Sequence, residues 1–421
     1  MIRPGRSGDA ALTSQSHPMT HPIDTDVVVA GGGIAGLAGA LGAARAGMRV
    51  RLFEQTARLA EVGAGLQLGP NAVRVLADWG LLDALRDVAA FPDALVVRDA
   101  PSGTELGRLR LGNRAQALYG QPYATVHRAD LHALLWQAVA AQPGVELGLA
   151  RAVLGWQASE DHVVARLTDS AAVSGRLLLG CDGLWSRVRA PLLGDELPVP
   201  TGHIAYRGLV DQSGLPPTQR QRDVMAWLGP RMHAVCYPVR RGEHLNVVVI
   251  VQGRLDSDVQ NWSHAADPAD LRAAMGRVAP ALDAVLQGVP QWLRWPLFER
   301  PVVTGPEAHG SGRVALLGDA AHPMRPYLAQ GAAMALEDAW SLGRLLAQQP
   351  GALADPAPLL RGWANERWPR NAWVQARSRR NGRVFHLLPP LSWGRNLAMA
   401  VLGERLLDVP ALYGGPPSPC A

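Results

Sequence analysis

Residues 26–30 (Asp-Val-Val-Val-Ala) form an apolar run of buried-strand length. The run breaks at once into Gly31-Gly32-Gly33-Ile34-Ala35-Gly36 and an Ala/Leu-rich helical stretch that Gly47 closes. Residues 49–54 then alternate, with Val50 and Leu52 on one face and Glu54 at the end, completing a β-α-β unit. Periodicity further predicts helices over 70–79, 81–89 and 129–141, the last with Asp130 in its first turn, and strands at 95–97 and 176–179. From 200 to 300 the pattern changes to short alternating runs at 204–210, 224–228, 233–239 and 245–251 broken by turns, which predicts a mostly antiparallel sheet inserted as a second domain. A buried strand at 314–317 runs into Gly318-Asp319-Ala320-Ala321-His322-Pro323, a helix spans 330–346, and the chain from 359 onwards is helical and rich in Trp and Arg.

The bare glycine triplet carries little information in a chain with 45 Gly. Its context carries the reading, because strand, glycine turn, helix and acid each have a task in holding a dinucleotide. Gly31 permits the tight turn, Gly33 lets backbone approach a pyrophosphate, and Gly36 lets helix and strand pack closely. The helix N-terminus, with Ile34 and Ala35, offers N–H groups to phosphate, and Glu54 accepts from an adenosine ribose.

Composition narrows the chemistry. With 48% hydrophobic and 18% charged residues in 421, the chain builds two or three cores at roughly 150 residues per domain. No apolar run reaches the roughly 18 residues of a membrane span. All 41 basic residues are Arg, which excludes Schiff-base and phosphate-loop lysines and with them pyridoxal enzymes and P-loop NTPases. A dispersed net charge of +5 offers no nucleic-acid patch. Cys181, Cys236 and Cys420 are too scattered for a disulfide framework or a metal site and read as unpaired thiols of a cytoplasmic protein. The first 23 residues lack a signal-peptide core and read as a flexible extension, with Met19 expected as the natural start.

Three separated motifs agree on more. GGGIAG with Glu54, GCDGLWSRVR at 180–189 and LLGDAAHPMRPYLAQGAAMALEDA at 316–339 resemble, in that order and spacing, the single-component flavoprotein aromatic hydroxylases. GAGLQLGPNAVRVL (63–76), VHRADLHALL (126–135) and GHIAYRGLV (202–210) extend the likeness over nearly the whole chain after residue 24, closest to the salicylate and 3-hydroxybenzoate hydroxylase branch. The resemblance implies an α/β fold: a Rossmann-like FAD-binding domain in two parts (24–190 and 301–350), an inserted β-rich substrate domain (191–300) and a helical C-terminal region (351–421). It also implies FAD as cofactor, NADH or NADPH as co-substrate, O2 addition at the flavin C4a, and transfer of OH to a small phenolic or aromatic acid. The lack of a second G-x-G-x-x-G implies transient binding of the pyridine nucleotide. A homodimer is left open, with no nucleic-acid partner.

By the same resemblance, Asp319 binds the ribityl chain, Gln330, Gly331 and Ala332 start the helix that faces the flavin pyrimidine edge, and Arg128 and Asp182 contribute to cofactor handling. Pro326 lies beside the reacting edge of the flavin. A phenol must lose its proton to activate the ring, so a base is expected. His203 is the first choice, with Tyr206, His233 and His322 as alternatives; Gln67, His233 and Arg325 are expected around the substrate, Arg325 for a carboxylate. Gln67 stands where hydroxypyridine hydroxylases carry histidine, and 324–326 lacks the glutamine of 3-hydroxybenzoate 6-hydroxylases, which leaves the ring open. The alternatives are a hydroxylase of a ubiquinone precursor or larger aromatic metabolite, and a non-catalytic flavin-binding protein. A flavin halogenase is set aside because such enzymes rely on a lysine.

Overall fold

A computed structural model describes residues 23–58, 64–194, 197–217, 220–254 and 264–415. The expectations about Met19, the extension before residue 23 and Cys420 fall outside them. Val27, Val28 and Val29 have no solvent exposure, as a strand covered on both faces requires. Strand Thr25–Ala30 pairs in parallel with Val50–Phe53 and with Ala172–Gly180, and the same parallel sheet extends to Val145–Gly148 on one side and Val314–Leu316 on the other. Helices Ile34–Arg45 and Gly331–Gln348 pack against each other closely enough that a Cβ on Gly42 would lie 2.7 Å from the Ala339 carbonyl oxygen. A hairpin, Val153–Ala158 and Val163–Leu167, hangs off Ala172–Gly180 and was not expected from the pattern.

The second sheet runs His264–Ala266, Trp292–Glu299, Val199–Asp211, His244–Gln252, Met232–Val239, Val224–Gly229, Ala94–Asp99 and Glu105–Arg110. All its pairs are antiparallel except Val224–Gly229 with Ala94–Asp99. A boundary at 190 therefore does not separate the two sheets, since 94–110 contributes two strands to the second. Within 191–300 the structure also places helices Pro268–Met275 and Pro280–Gln287, each started by a proline whose missing N–H costs nothing there. Leu271, Leu282 and Val285 from these helices cover Ile204, Tyr206, Ala234 and Val249 on the outer face of the sheet. The inner face, with Ala205, His233, Val235, Val248 and Ile250, looks toward the first domain. The C-terminal region holds the long helix Ala357–Phe385, the shorter helix Leu391–Leu402 and the one-turn helices Glu404–Leu407 and Pro410–Tyr413.

Candidate active site

Gly31 has φ +101°, and a Cβ there would lie 2.5 Å from the Cys181 carbonyl oxygen. A Cβ on Gly36 would stand 1.8 Å from the Gly31 carbonyl oxygen, so neither position admits a side chain. The Glu54 carboxylate accepts from the Gly32 N–H at 2.7 Å and the Thr56 N–H at 2.9 Å, which ties the acid at the end of the second strand to the glycine turn. Gly33, Ile34 and Ala35 open onto a cavity of about 340 Å³.

Arg128, Gly183, Asp319, Gln330, Gly331 and Ala332 line the same cavity, although they come from three distant parts of the chain. Gly318, with φ +59°, turns the chain so that Asp319 follows the strand Val314–Leu316 into the open space. The Asp319 carboxyl is surrounded by protein yet keeps its surface toward the cavity, and burial raises its pKa against the lowering effect of His322 and Arg128. Helix Gly331–Gln348 begins without a side-chain cap and without an acid in its first turn, so its positive end faces the cavity uncompensated. Asn71 donates to the Gln330 Oε1 at 3.0 Å and to the Glu337 Oε1 at 2.9 Å, which fixes this helix start against the helix Pro70–Asp78.

The Asp182 side chain is engaged within its own loop. Its carboxylate turns back on its own loop, accepting from the Arg187 and Val188 N–H groups and from the Ser186 hydroxyl, while Gly183 beside it lines the cavity.

A second cavity of about 390 Å³ adjoins the first, and Gln67, His233, Val235, Pro326 and Ala329 line both. Tyr123 donates its hydroxyl to the Gln67 Oε1 at 2.8 Å. Apart from this shared set the second cavity is walled mainly by Leu, Val, Phe and Met side chains of the second sheet and the C-terminal helices.

The base candidates separate by strand alternation. Tyr206 points to the outer face among Ile204, Val210 and Trp292, with Arg294 as its partner, and cannot reach the cavity. His203 is on the inner face but lies in a different, open groove with Arg231, Gln252 and His386. His322 is fully buried and bonded at 2.5 Å to Asp338. His233 is the histidine that lines both cavities, 2% exposed, with its Nδ1 2.8 Å from the His386 Nε2. Burial holds the His233 pKa well below the ordinary value, with His386 and His203 adding to the effect, and burial likewise lowers His386 to about 3. The His386 ring is in turn 5.0 Å from the His203 ring, so three histidines connect the buried cavity to the groove.

Arg325 lines the first cavity but is engaged with an acid there. It makes a two-point contact with Glu299, Nε to Oε2 at 2.9 Å and NH2 to Oε1 at 2.6 Å, and Arg379 joins the same carboxylate. Glu299 is thus shared by two arginines. The sequence reading missed Arg377, Arg380, Asn381 and Phe385, which enter the second cavity at spacings of three and four along Ala357–Phe385. That spacing was the available signal. Among the described residues, His309, His322 and Asp338 form the cluster with metal-ligand chemistry, but Arg367, Asn371 and the Gly318 N–H already occupy the Asp338 oxygens.

Residues 24–378 match the family model described as FAD binding domain. A 3-hydroxybenzoate 6-hydroxylase of Klebsiella oxytoca is 37% identical over 360 residues, covering 85% of this chain and 88% of the relative. A 3-amino-4-hydroxybenzoate 2-monooxygenase of Streptomyces cremeus is 38% identical over 364 residues, covering 86% and 88%. Among solved structures, a salicylate hydroxylase substrate complex superposes with a TM-score of 0.77 at 25% identity, covering 94% of this chain and 99% of the other.

Proposed function

This chain belongs to the FAD-binding-domain family of flavoprotein aromatic monooxygenases, and from that premise we propose that it hydroxylates a phenolic or aromatic acid at the expense of NADH or NADPH and O2. The observation that carries the reading is the continuity of the two cavities through Gln67, His233 and Pro326. The space lined by the glycine turn and Asp319 and a second, mostly apolar space share a wall that contains a buried histidine.

The residues present fit FAD. The glycine turn leaves no room for a Cβ, the helix start at Gly331 is uncapped, and the exposed Asp319 lines the cavity. Gly31 to Gly36 and the first turn of Ile34–Arg45 would hold the pyrophosphate, Glu54 the adenosine ribose, Asp319 the ribityl hydroxyls, and the Gly331–Gln348 N-terminus the negative charge of the reduced ring. Bound FAD supplies the electron transfer from nicotinamide and the activation of oxygen.

Removing the substrate's phenolic proton is the protein's task. His233 does this with a bare Nε2 when its Nδ1–H donates to the His386 Nε2. On accepting the phenol proton at Nε2, His233 releases its Nδ1 proton by way of His386, which lines the open groove that also holds His203 and hands the proton on there rather than keeping it. Burial keeps the resting His233 imidazole neutral and also weakens it as a base, so the transfer relies on passing the proton on. The paired Glu299–Arg325 group and the turn Pro326–Leu328 keep the cavity walls fixed during this transfer.

The test is a screen of hydroxylated aromatic acids for stimulated NADH and NADPH oxidation with product identification. His233→Ala should retain FAD and lose 10²- to 10⁴-fold in hydroxylation, with the consumed NAD(P)H appearing as hydrogen peroxide. Tyr206→Phe should keep the wild-type ratio of product to NAD(P)H. A His233→Ala enzyme with unchanged ratio removes His233 from this role, and failure of every hydroxylated aromatic to stimulate oxidation removes the reading.

A further inference from the structure

The arginines of helix Ala357–Phe385 divide into two sets. Arg367 meets Asp338 and Glu337, Arg370 meets Glu337, and Arg379 meets Glu299. Arg377 and Arg380, on the face that lines the second cavity, have no carboxylate within ion-pair distance among the described residues. The Arg377 Nε is buried without a hydrogen-bond partner, and its guanidinium lies 5.7 Å from the centre of the Trp373 ring. Among the described residues, no acidic side chain lines that cavity. Half-buried Arg377 and exposed Arg380 thus border one largely apolar space in which, among the described residues, no acidic side chain pairs with them, an arrangement that an anionic ligand would complete.

The position of the pair along the helix sets the length of that ligand. Arg377, Arg380, Asn381, Val384 and Phe385 share one face, and the Phe385 ring lies 5.4 Å from the His233 ring. Phe385 thus marks the end where the ring is deprotonated. Arg380 and Arg377 precede it by five and eight residues, or about 7.5 and 12 Å along the axis at about 1.5 Å per residue. Their Cα–Cβ bonds tilt toward the helix N-terminus, further from His233. The space between is walled by Val384, Leu406, Leu407 and Met399. At about 390 Å³ it would hold on the order of a dozen waters at about 30 Å³ each, more than one carboxylated ring fills.

We propose that Arg377 and Arg380 anchor the carboxylate of a phenolic acid whose acid group is held away from the hydroxylated ring by an apolar arm. This rests on the hydroxylase reading and narrows its substrate from a benzoate to a longer aryl acid. The two-point pairing of Arg325 with Glu299 is consistent with it, since Arg377 and Arg380 have no such partner among the described residues.

The experiment titrates the FAD-loaded protein with hydroxyphenyl acids carrying no, one, two, three and four methylenes before the carboxylate, and with the primary amide of each. Binding is read from flavin and tryptophan fluorescence, and turnover from product formed per NAD(P)H. Affinity should rise about fourfold per methylene until the carboxylate reaches the pair. The best acid should bind about 10- to 100-fold tighter than its amide. In Arg377→Gln/Arg380→Gln that preference should vanish while amide affinity and FAD content hold. Should the double variant not fold, Arg380→Gln alone, at an exposed helix position, should cut the preference. Equal affinity for hydroxybenzoates and longer acids, an acid preference that survives the substitutions, or no binding of any acid overturns the anchor. Arm-dependent binding without hydroxylation would retain the anchor and overturn the hydroxylase reading, whereas efficient hydroxylation of a hydroxybenzoate with no dependence on the arm would do the reverse.

Discussion

Arg367→Met tests how the buried charge network behind the cavity supports cofactor binding. Arg367 is without solvent exposure and donates from Nε to the Asp338 Oδ1 at 2.8 Å and from NH1 to the Glu337 Oε2 at 3.1 Å. Glu337 would keep its two-point contact with Arg370, at 2.6 and 2.7 Å, and would stay compensated. Asp338 would keep His322, the Asn371 amide and the Gly318 N–H but no permanent cation. Burial pushes the Asp338 carboxyl up, and His322 with Arg367 overrules burial and holds it below the usual range. Methionine keeps much of the volume and none of the charge, so the loss should be that of breaking one buried pair, about 3–5 kcal/mol. An exposed pair such as Arg86 with Asp83 should cost under about 1 kcal/mol by comparison. The effect extends to the cofactor because Asp338 holds the Gly318 N–H, and Gly318 sets the turn that presents Asp319. Urea unfolding should be followed on apoprotein, where bound FAD adds nothing to the apparent stability, and FAD affinity measured separately by fluorescence. Asp338→Asn on the Arg367→Met background should recover part of the loss. A cost below about 1 kcal/mol, or an unchanged FAD affinity, would refute the coupling.

Acid stability follows from the buried histidines. Burial holds His309 and His386 near 3 against about 6.5 unfolded, so below pH 6.5 the unfolded chain binds protons that the folded one refuses. Stability is then full above pH 6.5 and falls as the pH drops toward 3, by about 2 kcal/mol per histidine at pH 5, and His309→Gln should shift the acid-unfolding midpoint downward. A constant unfolding free energy from pH 7 to 4.5 contradicts this. At the glycine turn, Gly36→Ala places a Cβ 1.8 Å from a backbone oxygen and should abolish FAD retention, while Gly39→Ala, meeting a Leu179 methyl at 3.4 Å, should purify with FAD bound. Equal flavin content in the two variants would show that the turn tolerates expansion.

What was readable in the chain was whatever is encoded within one element. The strand, glycine turn and helix at 25–45 stand as the pattern predicts, as do the strands near 204–251 and the helix from Gly331, because alternation, helical period and glycine are local signals. Helices Pro268–Met275 and Pro280–Gln287 also had local signals, proline at each first turn and Asp267 as a cap, overshadowed by the β-like runs around them. The strand Ala94–Asp99 had no such signal for its partner, since its parallel neighbour Val224–Gly229 lies far along the chain and period two says nothing about which strand will be adjacent.

The site divides in the same way. His203 and Tyr206 differ by an odd number of positions on one strand, so alternation alone places them on opposite faces and they could never have served as interchangeable bases. Choosing His233 instead required knowing that helix Ala357–Phe385 ends against the sheet, because its partner His386 is 153 residues away. The same helix supplies Arg377 and Arg380 at one end of the cavity and Phe385 near the base at the other. Its length is therefore a ruler for the substrate, and its register against the sheet decides which arginines are left unpaired. A shift of one residue, about 100° of helical rotation at 3.6 residues per turn, would turn both arginines out of the cavity. Substrate length and the choice of base are in this way set by a single packing contact that neither element specifies alone.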